Sequence, residues 1–163
     1  MKNNSDVFIL VVDDDESIRG LVEEILLIDG YSTVQASNGT EALEILQNQD
    51  FDLLITDIMM PGISGMKLLT TVRNLKPDMA IIMLTSVDKK ETAIQAIEQG
   101  AYGYMIKPFQ VNELLMNVFS ALHRRKSEKM RDDYEKELEK QIHEINKEFR
   151  NKEWLNNHGR EKI

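Results

Sequence analysis

The sequence predicts an α/β domain built on a five-stranded parallel sheet, with its last helix extended into a C-terminal helical tail. Five short apolar runs of the kind found in buried strands alternate with five segments whose apolar residues recur at helical spacing. Short connections between such segments give a parallel sheet covered on both faces through right-handed crossovers. The expected architecture is doubly wound (flavodoxin-like), with strand order 2-1-3-4-5 and a site between strands one and three.

The composition fits one domain with an appendage. The chain has 163 residues and contains no cysteine, which excludes disulfides, thiol chemistry and cysteine-ligated metals. No run approaches the ~20 apolar residues of a membrane span, and the N-terminus lacks a secretory apolar region. We therefore expect a cytoplasmic protein with no membrane span.

The charge is unevenly distributed along the chain. The net charge is −8, and residues 1–122 hold 8 Lys and Arg against 18 Asp and Glu, whereas residues 123–163 hold 12 against 10. An acidic body argues against a broad surface for phosphate backbones, so no direct nucleic-acid partner is expected. The basic run Arg124–Lys126 is interpreted as a solvated helix face.

The first strand is predicted over Val7–Val12, and it ends in three consecutive acids at residues 13–15. Asp15 is expected to cap the helix that follows, because negative charge is favoured at a helix N-terminus. Caps of later helices are assigned to Asn38, Ser64 and Asp88, and the last helix is expected to begin near Gln110. The other strands are predicted at Tyr31–Gln35, in the apolar run from Leu53 that Asp57 closes, at Met79–Leu84 and at Tyr102–Ile106.

Asp57 closes the third apolar run, immediately before a stretch broken by Pro61 and Gly62. The run thus presents a carboxylate at the carboxyl end of a central strand, where ligands bind in open parallel sheets. On this stretch alone the acid could also serve as the cap of the next helix, which is the less favoured interpretation.

The character of the chain changes after Leu122, so we expect one domain at 1–122 and a helical tail or linker at 123–163. The tail is highly charged and lacks proline and glycine over 123–153, which favours a continuation of the last helix by ~45 Å or more. Only Leu138–Phe149 keeps a heptad-like spacing, which is short for a coiled coil. A polar helix of this length is marginally stable alone and needs a partner. Its apolar residues are Met130, Tyr134, Leu138, Ile142, Ile145 and Phe149.

The predicted strand ends gather groups suited to phosphoryl chemistry. Several clustered carboxylates repel one another unless one is protonated or a cation neutralises them, and hard oxygen ligands favour Mg²⁺. A hydroxyl and an ammonium opposite them can receive an anion. Together these groups can carry a phosphoryl group on an aspartate. They are Asp13, Asp14, Asp57, Thr85 with Ser86, and Lys107.

In these residues the sequence resembles the receiver domain of bacterial two-component response regulators. The matching segments are Ile9–Asp15, Leu54–Gly65, Ile82–Ser86 and Gly103–Phe109, within residues ~7–122. The resemblance implies a phosphorylation-dependent switch whose partner is a sensor histidine kinase or a histidine phosphotransfer protein. It also implies a homodimer or target contact through helix four, strand five and helix five, or through the tail.

The resemblance further implies a role for each matching residue. Asp57 would be the phosphoacceptor, while Asp14 and Asp57 would bind Mg²⁺ directly and Asp13 partly through water. The backbone carbonyl of Met59 would complete the protein ligands of the metal. Thr85 and Lys107 would contact the phosphoryl group, Tyr104 would follow Thr85 as a switch, and the Lys107–Pro108 bond would be cis.

Two departures concern the lifetime of the phosphoryl group. Met59 and Val87 are apolar where an attacking water would need orienting, which predicts slow self-dephosphorylation. Met59 also occupies the position of the second catalytic aspartate that phosphate-ester hydrolases need, which disfavours that enzyme class. The chain is therefore expected to catalyse only its own phosphorylation and slow dephosphorylation.

Three interpretations of the output remain open. The chain could be a stand-alone regulator that acts by association, or a receiver with its linker helix from a longer protein. It could also be a phosphorelay intermediate that passes the group to His143. The segment beginning at His143 lacks the proline expected of a histidine-kinase phosphoacceptor segment, so a solvated helix histidine is favoured there.

Overall fold

The computed structural model describes residues 4–159, except the side chain of Asn157. A five-stranded parallel sheet has the order β2-β1-β3-β4-β5, which confirms the predicted doubly wound topology. Neighbouring strands end in register, since Val12 pairs with Thr56 and Thr85 pairs with Ile106. The strands are β1 (Phe8–Val12), β2 (Ser32–Ala36), β3 (Leu53–Thr56), β4 (Ala80–Thr85) and β5 (Gly103–Ile106).

A helix follows each strand, as the spacing of apolar residues predicts. A short 3₁₀ turn at Asn4–Asp6 precedes β1. The predicted strand limits agree with the observed ones to within one residue at each end. The helices are α1 (Glu16–Ile28), α2 (Gly39–Asn48), α3 (Gly65–Leu75), α4 (Lys90–Glu98) and α5 (Val111–His158).

Three of the four predicted helix caps are confirmed. Asp15 accepts hydrogen bonds from the backbone of α1, Asn38 from that of α2 and Ser64 from that of α3. The prediction for Asp88 was wrong, because α4 begins at Lys90 and its N-cap is Lys89, which makes no side-chain cap bond. Asp88 therefore lies one residue before the position from which a side chain can reach the first free N–H groups.

The sheet is buried on both faces. Helices α1 and α5 cover one face, where Val22, Leu26, Leu114 and Val118 pack against the strands. Helices α2, α3 and α4 cover the other face with a second apolar cluster. Because both faces are covered, the central strands β3 and β4 are buried at every residue and show no alternation.

The chain divides into two compact units, residues 1–125 and 126–163. Helix α5 is continuous from Val111 to His158 and supplies the described part of the second unit, in which every described side chain from 131 to 156 is exposed. Among the described residues, no helix is long and apolar enough to cross a membrane.

Candidate functional site

Four of the predicted site residues lie at the carboxyl edge of the sheet. Asp13 and Asp57 directly follow β1 and β3, Thr85 ends β4, and Lys107 directly follows β5. Asp13, Asp57 and Thr85 are buried, with exposed fractions of 3%, 6% and 0%. Because the strands are parallel and end in register, residues far apart in the sequence converge on this edge.

Backbone groups of β1 and of the two residues after Asp57 hold Asp57 in place. Its N–H donates to the carbonyl of Val12 at 3.0 Å, and its Oδ1 accepts from the N–H groups of Ile58 at 2.6 Å and Met59 at 3.3 Å. The first turn of α3 is capped by Ser64 instead. Of the two interpretations open for Asp57, the structure therefore favours the presented carboxylate over the helix cap.

Lys107 connects the two buried carboxylates. Its Nζ lies 2.5 Å from Asp13 Oδ2 and 3.1 Å from Asp57 Oδ2. Burial by itself lowers the pKa of Lys107, but the hydrogen bonds to Asp13 and Asp57 and their charges outweigh burial and raise it above its usual value. The ammonium is therefore charged at neutral pH and positioned beside Asp57.

Asp13 differs from Asp57 in its partners. Its Oδ1 accepts from the N–H of Asp15 at 2.9 Å, while its Oδ2 faces Lys107. Burial raises the pKa of Asp13, and the hydrogen bonds from Lys107 and Asp15 together with the Lys107 charge offset this only in part. The carboxylate is thus costly to keep charged in this position, and a further cation would relieve that cost.

The three acids form a cluster that suits a divalent cation. Carboxylate oxygens of Asp13, Asp14 and Asp57 lie within 4.8 Å of one another, and Asp14 is exposed at the mouth of the cluster. The three acids outnumber the ammonium of Lys107, which pairs with Asp13 and Asp57. Hard oxygen ligands in a partly hydrated position fit Mg²⁺ better than a transition metal, so the residues present are suited to the expected metal.

Thr85 and Tyr104 are joined through the backbone of Val87. The Val87 N–H donates to Thr85 Oγ1 at 3.3 Å, and the Tyr104 hydroxyl donates to the Val87 carbonyl at 2.6 Å. Burial raises the pKa of Tyr104, and the charges of Asp88 and Asp57 raise it further, so the phenol stays a donor. A movement of Thr85 would therefore be transmitted to Tyr104 through the loop after β4.

Three contributors to this edge were not recognised in the sequence. Arg19 donates from Nη1 to the Asp13 carbonyl at 2.7 Å and from Nε to Gln35 at 2.8 Å. Gly65 lies against the backbone of Asp57, and Val87 contributes its backbone rather than its side chain. Only Gly65 gave a signal, as a glycine directly after a capping serine, and we interpreted it only as a break in the chain.

Other predicted residues lie elsewhere or have no described contact that fixes a role. Ser86 is exposed beside Thr85, and His143 is exposed on α5. The Met59 side chain is 65% exposed, and its N–H bonds Asp57, but the role of its carbonyl stays a prediction. The Lys107–Pro108 peptide bond is cis, as the resemblance implies.

Comparison with known proteins identifies the family to which a chain with this fold and this cluster of side chains belongs. The model of the response regulator receiver domain matches residues 9–119. The chain therefore belongs to the response regulator receiver family. This confirms the resemblance drawn from the four sequence motifs.

Individual relatives agree with this assignment. The chain is 38% identical over 112 residues to the DNA-binding transcriptional regulator NtrC of Escherichia coli K12, covering 69% of this chain and 24% of that protein. It is 36% identical over 122 residues to the response regulator MprA of Mycobacterium bovis, covering 75% and 53%. The chain thus spans about a quarter to a half of the length of these curated relatives.

Solved structures show the same fold at similar identity. A receiver domain protein from Clostridium thermocellum has a TM-score of 0.69 at 37% identity, covering 74% of this chain and 97% of that one. The chemotaxis protein CheY4 of Vibrio cholerae has a TM-score of 0.67 at 33% identity, covering 71% and 98%. Homologues are thus regulators, and the chain is a signalling domain rather than a conventional enzyme.

Proposed function

We propose that Asp57 accepts a phosphoryl group from a phosphohistidine on a sensor histidine kinase or a histidine phosphotransfer protein. A carboxylate oxygen of Asp57 forms a bond to phosphorus as the bond from phosphorus to the imidazole nitrogen breaks. The electron pair of that bond returns to the imidazole, which is protonated as it leaves. The product is an acyl phosphate on Asp57 and a free histidine on the donor.

The observation that carries this proposal is the convergence of Lys107, Asp13 and Asp57. Lys107 Nζ lies 3.1 Å from Asp57 Oδ2, so an ammonium lies where the phosphoryl oxygens would develop charge. The Ile58 and Met59 N–H groups hold the other carboxylate oxygen in one orientation. Asp57 is therefore positioned as a nucleophile rather than left to rotate freely.

Asp13, Asp14, Asp57 and the Met59 carbonyl would hold Mg²⁺ at this edge. The metal would neutralise charge on the phosphoryl group and on the clustered acids. Lys107, which pairs with Asp13 and Asp57, would bind the phosphoryl oxygens through its ammonium. The Thr85 hydroxyl, which accepts a bond from Val87, can still donate its own proton to that group.

The proposed output is a change in the surface formed by α4, β5 and α5. Thr85, drawn toward the phosphoryl group, would displace the loop that carries Val87, and Tyr104 bonds that loop directly. Two arrangements of this loop would then differ in population before and after phosphorylation. We infer that the change controls association of the chain with itself or with a partner, in the cytoplasm.

The surroundings of Asp57 support a long-lived signal. Met59 is 65% exposed beside Asp57, and no polar side chain is present at this position to orient a water. Val87 is likewise apolar. We therefore expect the acyl phosphate to persist for minutes or longer, and turnover within seconds would contradict this.

Incubation with acetyl phosphate and Mg²⁺, followed by intact-mass spectrometry, tests the proposal. The chain should gain the mass of one phosphoryl group, and both Asp57→Asn and a chelator should prevent the gain. Asp50→Asn is the matched control, because Asp50 is an exposed acid paired with Lys76 away from the cluster. Labelling that survives Asp57→Asn, or that needs no divalent metal, would contradict the proposed site.

A further inference from the structure

One side chain of α1 is bonded to the backbone between two acids of the cluster. The half-buried Arg19 donates from Nη1 to the Asp13 carbonyl at 2.7 Å. That carbonyl belongs to the peptide plane that also contains the Cα atoms of Asp13 and Asp14, two of the three acids that suit a divalent cation. The Arg19 bond therefore resists rotation of this plane, and such a rotation would turn the two carboxylates relative to each other.

The guanidinium of Arg19 is itself held by side chains of β2 and α1. Its Nε donates to Gln35 Oε1 at 2.8 Å, and the Gln35 amide donates from Nε2 to Glu23. The other carboxylate oxygen of Glu23 accepts from the Thr33 hydroxyl at 2.9 Å. Both ends of Gln35 and both oxygens of Glu23 are thus occupied, which holds the long side chain of Arg19 in one position.

The spacing along α1 would allow a simpler arrangement. Glu23 stands four residues after Arg19, the spacing at which opposite charges pair along one helix. Glu23 instead accepts from Gln35 and Thr33 of β2, and Arg19 reaches toward the end of β1. Pairing along the helix therefore does not account for the position of the guanidinium, whereas support of the Asp13 carbonyl does.

Asp13 is held at three further points. Its N–H donates to the Ala36 carbonyl at 3.3 Å, its Oδ1 accepts from the Asp15 N–H at 2.9 Å, and its Oδ2 lies 2.5 Å from Lys107 Nζ. The carbonyl is the remaining polar group of Asp13, and Arg19 is bonded to it. Every polar group of Asp13 thus has a partner, which suits a ligand that must keep its orientation when a cation binds.

We propose that Arg19 is a positioning residue of the cation site, because its bond to the Asp13 carbonyl fixes the orientation in which Asp13 and Asp14 receive a divalent cation. The inference rests on the proposed Mg²⁺ site and adds a residue that acts through the backbone of Asp13 rather than on the cation. Residues that orient metal ligands in this way contribute to metal affinity. Arg19 should therefore be required for tight binding of the metal.

The charge of Arg19 and its hydrogen bond predict opposite effects when the side chain is removed. Loss of a positive charge near the acids favours a bound cation, whereas loss of the bond to the Asp13 carbonyl loosens the site. We expect the second effect to exceed the first, so Arg19→Met should weaken Mg²⁺ binding about tenfold. Titration of the full chain with Mg²⁺ alone, followed by the amide NMR resonances of residues 13–15, measures this affinity.

Arg73→Met is the matched control. Arg73 is a half-buried arginine of α3 that also donates from Nη1 to a backbone carbonyl at 2.7 Å, but this carbonyl belongs to Met79, at the edge of the sheet where β4 begins. Its loss should change the Mg²⁺ affinity by less than about twofold, since Arg73 supports none of the acids. Urea unfolding checks that both variants are folded.

Two milder variants test whether the geometry of the guanidinium matters. Arg19→Lys keeps the charge but lacks the planar fork that reaches both Asp13 and Gln35, so it should still bind Mg²⁺ about threefold or more weakly than the wild type. Gln35→Met leaves Arg19 in place and removes the acceptor of its Nε, which should weaken binding by about two- to threefold. Wild-type affinity in Arg19→Lys would overturn the proposed positioning role.

Phosphoryl gain from acetyl phosphate gives a second readout that separates this inference from the proposed function. In Arg19→Met the Mg²⁺ concentration for half-maximal rate should rise about tenfold, while the rate at saturating Mg²⁺ stays within about twofold of the wild type. Unchanged or tighter Mg²⁺ binding by Arg19→Met would overturn the inference and leave the proposed phosphoacceptor function intact. A wild type that binds no Mg²⁺ would overturn the proposed metal site and the inference together.

Discussion

Gly65 is packed directly against the backbone of Asp57. A Cβ atom at Gly65 would lie 1.8 Å from the Asp57 carbonyl oxygen and 2.7 Å from the Ile58 Cα. The Gly65 N–H also donates to the Ile58 carbonyl at 2.9 Å. The first residue of α3 thus supports the loop that presents Asp57, the proposed phosphoacceptor, and only a residue without a side chain fits there.

Gly65→Ala should displace the Asp57 loop and destabilise the domain by about 1–3 kcal/mol, since neither the strand end nor the helix start can move freely. We expect slower phosphoryl gain from acetyl phosphate as well. Urea unfolding and intact mass measure the two effects. Gly20→Ala is the control, because a Cβ there has open space and an alanine inside α1 should stabilise by about 0.5–1 kcal/mol. A Gly65→Ala variant as stable as the wild type would contradict this packing.

Tyr104→Phe should loosen the loop after β4. The change removes the 2.6 Å bond to the Val87 carbonyl, and we expect a loss of about 0.5–1.5 kcal/mol in the free energy of unfolding. Amide exchange at Val87 should also accelerate, since its N–H bond to Thr85 is no longer supported. Tyr134→Phe removes a hydroxyl from a 69% exposed residue and should change neither quantity. Unchanged exchange at Val87 in Tyr104→Phe would show that Tyr104 is not coupled to Thr85 through this loop.

Lys107 should make stability depend on pH in alkaline solution. Its folded-state pKa is raised above 10.5, so its contribution is fully present below the unfolded-state pKa and is lost as pH rises through the folded one. Urea unfolding with a chelator present should show a steeper decline above pH 10.5 for the wild type than for Lys107→Met. The pKa values of Tyr31 and Tyr104 are also raised, so ionisation of these tyrosines likewise lowers the free energy of unfolding as pH rises. The wild type and Lys107→Met both contain these tyrosines, so the comparison between the two proteins is unaffected.

Lys67→Met, which removes an exposed lysine of α3, serves as the control for this comparison and should follow the wild-type profile. Parallel profiles for Lys107→Met and the wild type would mean that the two carboxylates do not hold the ammonium in solution.

The caps of α3 and α4 should respond differently to the same kind of substitution. Ser64→Ala removes an acceptor that lies 3.2 Å from the Lys67 N–H and should cost about 1 kcal/mol. Asp88→Ala removes no cap bond from α4 and should cost less than half as much. Thermal unfolding of the two variants decides this, and equal losses would restore Asp88 as a cap.

Prediction from sequence failed where a residue contributes its backbone rather than its side chain, and where a side chain makes a contact that its spacing in the sequence does not indicate. The Val87 backbone joins Thr85 to Tyr104, whereas the sequence shows only an apolar side chain there. Arg19 reaches the Asp13 carbonyl from one turn into α1, and nothing in its spacing distinguishes it from a surface arginine. The prediction that Asp88 caps α4 failed because a difference of one residue at the start of a helix decides which side chain can cap it.

The sequence by itself determined the order of strands and helices, three of the caps and the segments that carry the site. Those features depend on neighbours within one turn or one strand, which periodicity and turn residues record. The sequence also predicted that Lys107, Asp13 and Asp57 lie at one edge of the sheet. Only the tertiary structure decided that the Lys107 ammonium pairs with both carboxylates, across 94 and 50 residues, and that Gly65 fits against Asp57. Such contacts depend on the register of parallel strands and on the packing of the loops that follow them, which no local pattern encodes.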